Sequence, residues 1–210
     1  MEYSAFANKN RKDSTMSDVD VDLSDTEHCI LCFNNLYFYS MGKCGHKNVC
    51  HTCALRLRLI IKDHNCPICK TNLDNIVIAQ DKSLSHEQFE KELKDKLAYD
   101  KEDNQIFYEN GKVKAACLKL RALQCLIMNC NPGYQFANFE ALKRHLELDH
   151  QKTFCKICLK GRLVFVREQR LYNLKHLKNH IEYGDPGNEK QAEILPHPWC
   201  DFCEEYFFND

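Results

Sequence analysis

Cysteine pairs interleaved with histidines constrain the fold of this chain more than any other feature. The 210 residues include 14 cysteines and 10 histidines, and twelve of the cysteines form pairs separated by two or four residues. A tight turn that carries such a pair presents both sulfurs to one metal ion. Several small metal-held modules are therefore expected in place of one large core, because a module of about 30–50 residues cannot bury enough apolar surface to fold alone.

The surrounding sequence favours zinc sites over disulfides. The chain begins Met1-Glu2-Tyr3-Ser4, which lacks the charged and apolar regions of a secretory signal. No run of about 18 apolar residues is present, so we expect no membrane span and no membrane partner. Reduced thiols, zinc as the cofactor and a cytoplasmic location are predicted. The net charge of −1 excludes a uniformly basic nucleic-acid binder but leaves room for local basic faces.

The first group of ligands lies between residues 29 and 69 and can hold two tetrahedral zinc ions. Its spacing is Cys29-x2-Cys32-x11-Cys44-x-His46-x3-Cys50-x2-Cys53-x12-Cys66-x2-Cys69. One histidine among seven cysteines, in fourth place, is typical of a RING, although the gap after His46 is one residue longer than usual. The RING pattern implies crossed ligation, so that metal binding supplies much of the folding free energy. The predicted sets are Cys29, Cys32, Cys50 and Cys53 for zinc 1, and Cys44, His46, Cys66 and Cys69 for zinc 2.

Resemblance to a RING implies ubiquitin ligase activity and an apolar surface that binds a ubiquitin-conjugating enzyme. A RING has no nucleophile; it accelerates transfer by holding the charged conjugating enzyme in a reactive pose. The matching surface positions are Leu31, Leu57 and Pro67. Many active RINGs carry an arginine directly after the last cysteine, where this chain has Lys70. Lysine keeps the positive charge but lacks the planar fork of donors, so activity is expected and its strength is in question.

The third predicted zinc site has the spacing of a Cys-Cys-His-His finger. Its ligands are spaced Cys125-x4-Cys130-x14-His145-x4-His150. Phe136 and Leu142 occupy the apolar positions of such a finger near its helix. The cysteine-to-phenylalanine distance is two residues longer than in a regular finger, so an expanded hairpin is expected.

The fourth predicted site begins at Cys155 and Cys158 and has two possible completions. His176 and His180 would lie one turn apart on a helix. Alternatively, His180 is the third ligand and His197 the fourth, which the sequence favours because Leu177 precedes His180 by the three residues of finger spacing. Farther on, Cys200 and Cys203 resemble the start of another finger, and no histidine follows them before Asp210, so we expect an incomplete site there.

The predicted fold class is a series of small α+β zinc-bound modules, a cross-brace RING followed by irregular fingers. The expected divisions are a disordered tail at 1–26, the RING at 27–75, a helix/hairpin connector at 76–124, a finger at 125–150, a finger with an extended insertion at 151–198, and the start of a finger at 199–210. Within them we predict helices at about 51–62, 85–98 and 114–124, and a strand at 76–78. A capping box of Ser85 and Gln88 supports the second helix, and Asn110-Gly111 after 106–108 predicts a hairpin turn.

Beyond the zinc ligands, several longer motifs resemble the ribosome-associated RING and zinc-finger ubiquitin ligases typified by zinc finger protein 598. They span about residues 29 to 210 and comprise Cys29-Ile30-Leu31-Cys32, the segment from Ile106 to Val113, Phe154-Cys155-Lys156-Ile157-Cys158, the run from Phe165 to Tyr172, Gly184-Asp185-Pro186, and His197-Pro198-Trp199-Cys200-Asp201-Phe202-Cys203. In this family, positions matching His180 and His197 are the histidine ligands. The resemblance implies recognition of stalled, collided ribosomes and ubiquitination of small-subunit ribosomal proteins.

An alternative hypothesis is a zinc-finger RNA-binding adaptor whose RING is a non-catalytic interaction platform. Basic residues near aromatic side chains support it, since such interleaving binds a phosphate backbone and stacks bases. Irregular finger spacing argues against tracking the DNA major groove. Ribosomal RNA is thus a possible partner under either hypothesis. The basic residues concerned are Lys114, Lys119, Arg121, Lys143, Arg144, Lys160, Arg162, Arg167 and Arg170.

Overall fold

The structure is a computed structural model that describes residues 28–103, 105–187 and 193–208. It confirms the predicted fold class, because short helices and strands surround Cys/His clusters that could bind zinc. The predicted tail at 1–26 lies outside the described residues. No helix in the described part of the chain is both long enough and apolar enough to cross a bilayer.

One five-stranded sheet joins the RING to the region expected to be a connector. In chain order its strands are β1 (Tyr39–Met41), β2 (Val49–Cys50), β3 (Ile76–Ala79), β4 (Ala98–Tyr99) and β5 (Ile106–Tyr108). They lie in the order β2-β1-β3-β5-β4. All pairings are antiparallel except β3 with β5, where Ile76 lies opposite Ile106. The strand predicted at 76–78 is confirmed, and it is the central strand of the sheet.

Helices pack on this sheet, and the first of them carries the RING ligand Cys53. Helix α1 (His51–Leu55) continues into wider π-helical turns at Arg56–Ile61, which confirms the helix predicted at about 51–62. Helix α2 (His86–Gln88) continues likewise through Phe89–Leu93. Its predicted capping box is present, since the Gln88 backbone N–H donates to Ser85 Oγ at 3.1 Å. The predicted end at 98 is wrong, because residues 98–99 pair with β5.

The predicted hairpin at Asn110-Gly111 is wrong. Asn110 instead caps the N-terminus of α3 (Gly111–Arg121), and its Oδ1 accepts the Val113 N–H at 3.0 Å. Asn favours helix caps as well as tight turns, so the dipeptide alone does not separate the two. Helix α3 also begins earlier than the predicted 114. Its start lets Val113 and Cys117 face the buried core.

A buried ion pair fixes α3 to the end of the sheet. The Asp100 carboxylate is fully buried and accepts hydrogen bonds from Tyr108 Oη and from both terminal nitrogens of Arg121. Burial raises the pKa of Asp100, but the hydrogen bonds from Arg121 and Tyr108 outweigh it, so the pKa is lowered. Arg58 links the π-helical turns to the segment before β3 and to the loop before β5. It donates to the Leu73 and Asp74 carbonyls at 2.8 and 2.7 Å and to the Asp103 carboxylate at 2.7 Å.

The C-terminal half consists of two small zinc-finger-like units and a hairpin. The first contains α4 (Phe139–His150), whose buried Leu142 and Leu146 pack with Phe154. The second contains β6 (Thr153–Phe154), α5 (Lys156–Gly161), a 3-10 turn at Val166–Glu168, β7 (Leu171–Tyr172) and α6 (Leu174–Tyr183). Strands β6 and β7 pair antiparallel. A hairpin of β8 (Trp199–Cys200) and β9 (Glu205–Tyr206) follows.

Candidate metal centres and the conjugating-enzyme surface

Four clusters of cysteine and histidine side chains gather within the described residues, and in each one the four candidate ligand atoms lie within 4.8 Å of one another. The members match the sequence-predicted sets. They are Cys29, Cys32, Cys50 and Cys53; Cys44, His46, Cys66 and Cys69; Cys125, Cys130, His145 and His150; and Cys155, Cys158, His180 and His197. The first two clusters interleave along the chain, which is the cross-brace that the RING pattern implies.

The first cluster is built where β2 meets α1. Cys50 ends β2 and is the N-cap of α1, so its thiol and that of Cys53 point to the same place. Cys29 approaches from the preceding loop, and its sulfur accepts the Cys50 backbone N–H at 3.3 Å. A hydrogen bond from the Cys53 thiol lowers the pKa of Cys50 to about 5, against the opposing effect of burial. A cation at this position would favour thiolate at every cysteine of the cluster.

The second cluster faces solvent more than the first. His46 directs Nδ1 toward the cluster, 3.7 Å from the Cys66 sulfur. Cys69 is exposed, and its pKa is lowered to about 6, first by a hydrogen bond with the Thr71 side chain. Lys70 follows with a left-handed backbone, φ +60°. Its side chain is exposed directly beside the cluster.

In the third cluster, a carboxylate outside the ligand set contacts one of the ligand histidines. His145 and His150 direct Nε2 inward, each 3.4 Å from one of the two cysteine sulfurs, Cys130 and Cys125 respectively. The other ring nitrogen of His145, Nδ1, lies 2.6 Å from Asp149 Oδ2. Such a carboxylate orients the imidazole and fixes the tautomer that leaves Nε2 free for a metal. None of the four ligand residues is fully buried.

In the fourth cluster all four ligand residues are buried. His180 Nε2 lies 3.3 Å from the Cys158 sulfur, and His197 Nε2 lies 3.5 Å from the Cys155 sulfur. A hydrogen bond from the Cys158 thiol lowers the pKa of Cys155 to about 3. His176 is exposed on α6 and is not a member of the cluster. Of the two completions considered, the structure therefore contains the one with His180 and His197.

The Gly-Asp-Pro motif explains how a histidine 17 residues after His180 reaches the same cluster. Gly184 ends α6 with φ +73°, and a Cβ there would lie 2.3 Å from the Ile194 carbonyl oxygen. Asp185 and Ile194 then exchange backbone hydrogen bonds of 2.7 and 2.9 Å, which turns the chain back along α6. The His197 N–H donates to the Ile181 carbonyl at 2.9 Å, so the imidazole is held against the helix.

Asp185 also supports the cluster through its side chain, a role that the sequence analysis missed. Its Oδ2 lies 2.8 Å from His180 Nδ1 and 3.2 Å from an Arg170 guanidinium nitrogen. The same oxygen accepts a hydrogen bond from the Tyr172 hydroxyl at 2.5 Å. The Tyr172 ring stacks on His180 with centroids 4.3 Å apart. The signal available in the sequence was the unexplained Gly184-Asp185-Pro186 motif itself.

Cys200 ends β8, and Cys203 lies in the turn between β8 and β9. They belong to none of the clusters of three or more candidate ligands formed by the described residues. The residues after β9 pack back on the unit that holds the fourth cluster, here called the fourth module, because a Cβ on Gly161 would lie 2.0 Å from the Phe208 ring. Cys117 is buried on α3, where burial raises the pKa of its thiol to about 12, so an inert core thiol is indicated.

The donor chemistry of the four clusters fits zinc. Thiolate sulfur and imidazole nitrogen, four to a site, are the ligands of structural zinc ions. Asp149 and Asp185 each place a carboxylate against the Nδ1 atom of a ligand histidine, as carboxylates beside zinc-bound histidines do. The clusters can therefore hold four zinc ions.

The positions predicted to contact a conjugating enzyme lie on the RING around its two clusters. Leu31 is 42% exposed beside the first cluster. Leu57, in the π-helical turns after α1, and Pro67, beside the second cluster, are partly buried and line one shallow depression. Ile30 and Ile68 are exposed next to them, so both zinc-site loops present apolar side chains.

Comparison with known proteins shows what this chain is similar to. Residues 24–119 match the model of the ZNF598 RING finger domain, a range that includes the eight RING ligands, the sheet and all but the last two residues of α3. The chain is 31% identical over 194 residues to E3 ubiquitin-protein ligase ZNF598 of Danio rerio, covering 89% of this chain and 19% of that protein. It is 30% identical over 187 residues to E3 ubiquitin-protein ligase hel2 of Schizosaccharomyces pombe, covering 89% of this chain and 25% of that protein.

Human ZNF598, also an E3 ubiquitin-protein ligase, is 28% identical over 183 residues. The chain thus spans about a fifth to a quarter of the length of these curated relatives. Family model and relatives agree: residues 24–119 match the ZNF598 RING finger domain, and most of the chain is similar in sequence to the ZNF598 and Hel2 ligases.

Proposed function

We propose that this chain is a RING-type ubiquitin ligase that binds a ubiquitin-conjugating enzyme through Leu31, Leu57 and Pro67. The observation that carries the proposal is the pairing of two interleaved Cys/His clusters with exposed apolar loops, in a domain whose relatives are E3 ubiquitin-protein ligases. A RING supplies no nucleophile of its own. Catalysis is by positioning: the conjugating enzyme already carries ubiquitin as a thioester, and the RING restricts it to a reactive geometry.

Zinc is the proposed cofactor, with two ions in the RING and two in the fingers. When bound, zinc supplies structure and no reaction chemistry, because four protein ligands complete its tetrahedral coordination. The chain's own part is to hold the two loops that carry Leu31 and Pro67 at a fixed separation. Lys70 adds a positive charge at the edge of this surface, where it can contact the conjugating enzyme and ubiquitin together.

The proposed substrates are small-subunit ribosomal proteins on stalled or collided ribosomes, in the cytoplasm. This part rests on the resemblance of the finger region, including Gly184-Asp185-Pro186 and His197-Pro198, to the ribosome-associated ligases. Ribosome-associated quality control is the corresponding process. The decisive comparison is ubiquitination of isolated 40S subunits, single ribosomes and collided ribosomes by the purified chain; equal activity on all three would contradict recognition of collisions.

The ligase proposal is tested with activating enzyme, a panel of conjugating enzymes and ubiquitin. We expect Leu31→Ala to abolish chain formation or lysine modification while all zinc is retained, because the lost contact is at the surface. Leu118→Ala, an equally exposed leucine on α3, is the matched control and should keep full activity. If the wild-type chain supports ubiquitin transfer with none of a broad panel of conjugating enzymes, the ligase proposal is wrong.

An RNA-binding adaptor is the second candidate, and a cleft between α3 and β7 favours it. Lys119, Arg167 and Arg170 line this cleft with Gln124 and Gln169, and no acidic residue is among its lining residues. Basic and amide side chains of this kind bind a phosphate backbone. Lys119→Glu should weaken binding of single-stranded RNA and reduce its salt dependence. Unchanged RNA binding by the Lys119→Glu variant would exclude this cleft as the RNA-binding site.

A further inference from the structure

The fourth zinc module reaches back and contacts the RING helix. The contact comes from the 3-10 turn Val166–Glu168 and the residue before it, Phe165, which lie between α5 and β7. Phe165 is only 6% exposed, and its buried neighbours are those of the RING and sheet core, not of its own module. The insertion in the fourth module therefore contributes a side chain to the RING core.

Glu168 connects the two parts by its two carboxylate oxygens. One oxygen, Oε2, accepts the Phe165 backbone N–H at 2.8 Å and so closes the 3-10 turn. The other, Oε1, accepts from an Arg56 guanidinium nitrogen at 2.6 Å. Arg167 adds a further link, donating to the Lys119 carbonyl of α3 at 2.8 Å. The turn is thus attached to both α1 and α3.

Arg56 occupies a sensitive position in the RING. It directly follows α1, begins the π-helical turns, and immediately precedes Leu57, one of the proposed conjugating-enzyme contacts. Its side chain is about three-quarters buried, and Glu168 is the carboxylate it pairs with among the described residues. Its Nε is buried without a hydrogen-bond partner. Removing Glu168 would leave a largely buried cation without its counter-charge, so the Arg56 side chain and the turn that carries it would shift toward solvent.

We propose that Glu168 is a positioning residue for the RING: through Arg56 it fixes the turn that carries Leu57, so that the fourth zinc module sets how well the RING binds a charged conjugating enzyme. The inference rests on the proposed ligase function. It assigns the finger region a second task besides substrate recognition. Phe165 supplies the apolar part of the contact and Glu168 the directional part.

The first experiment measures transfer kinetics of Glu168→Gln and Arg56→Gln. Each is expected to raise the apparent KM for the charged conjugating enzyme about 3- to 30-fold with a smaller change in kcat, since the lost interaction orients the docking surface. Glu182→Gln, an exposed carboxylate on α6 of the same module, is the control and should leave KM unchanged. The double variant Arg56→Gln/Glu168→Gln should be no worse than either single variant; additive losses would overturn the proposal.

The second experiment separates this inference from ligase function. Hydrogen exchange of the full chain should become faster over residues 51–61 in Glu168→Gln, while native mass spectrometry still finds all zinc bound. Unchanged exchange over 51–61 overturns the proposal, and so does faster exchange that appears only with loss of zinc from the fourth module. A wild-type chain that binds no conjugating enzyme would contradict the ligase function alone, because exchange still reports the coupling.

Discussion

At the residue scale, the outer carboxylates of the two finger sites make a comparison possible. Asp185 and Asp149 each approach a histidine Nδ1, but the Asp185 side chain is 19% exposed and the Asp149 side chain 61%. Water competes less with the buried carboxylate. We therefore expect Asp185→Asn to weaken zinc binding at its site about 10- to 100-fold and Asp149→Asn to have a smaller effect. Chelator competition measures both, and equal losses would contradict the role of burial.

Lys70 provides a second prediction at this scale. Replacement by arginine would restore a planar fork of donors able to contact two partners at once. Lys70→Arg should raise the rate of ubiquitin transfer several-fold, and Lys70→Ala should lower it. Zinc content is the control, since Lys70 follows the ligand Cys69. A Lys70→Arg variant no faster than wild type would indicate that lysine is already optimal here.

At the scale of elements, local patterns predicted some features well and others wrongly. The capping box at Ser85 and the strand at 76–78 follow from short-range rules, and both are present. Asn110 has a side chain suited to a turn or a helix cap, and its tertiary setting selected the cap. The pairing of β3 with β5 joins residues 30 apart, such as Ile76 and Ile106. No local signal encodes such a partner.

For the candidate sites too, short-range features were predicted from the sequence and long-range contacts were not. Ligand spacing predicted which cysteines and histidines would lie together, because metal-binding turns have fixed geometry. Contacts that depend on the whole fold were missed: Asp185 beneath His180, and Arg56 against Glu168, which are 112 residues apart. Both involve charged side chains that the sequence alone would place at the surface.

The buried pair Asp100–Arg121 provides the prediction for the element scale. Asp100→Asn removes the buried charge that offsets Arg121, leaves it with the exposed Glu102, and should destabilise the chain by about 3 kcal/mol. Since the pKa of Asp100 is lowered below its ordinary 3.8, its contribution is present above that value and is lost only as pH falls through the lowered pKa. The difference from wild type in urea unfolding should therefore be the same at pH 7 and pH 5. A difference that shrinks over this range would contradict the lowered pKa.

At the scale of the whole molecule, RING, sheet and fourth module share one connected set of contacts. The sheet spans the RING boundary expected at residue 75, and the Phe165 turn extends the same core into the fourth module. The core of the third module, the unit that holds the third cluster, is shared with Phe154, Leu159 and Val166 of the fourth module and has no member in common with the RING core. A perturbation in the fourth module should therefore reach the RING more readily than one in the third.

Metal removal tests this organisation. Native mass spectrometry should find four zinc ions per chain, and a chelator should unfold the protein, because metal binding contributes folding free energy that these small cores lack.

The ligands of the third cluster are all partly exposed, whereas those of the fourth are all buried. The third zinc should therefore leave first under limiting chelator, with exchange over residues 51–61 unchanged. Loss of the fourth zinc should then accelerate exchange there, because it frees the turn that Glu168 holds against Arg56. Simultaneous loss of both finger zincs would contradict this order. Slow exchange over residues 51–61 after the fourth zinc is lost would contradict the contact between the fourth module and the RING.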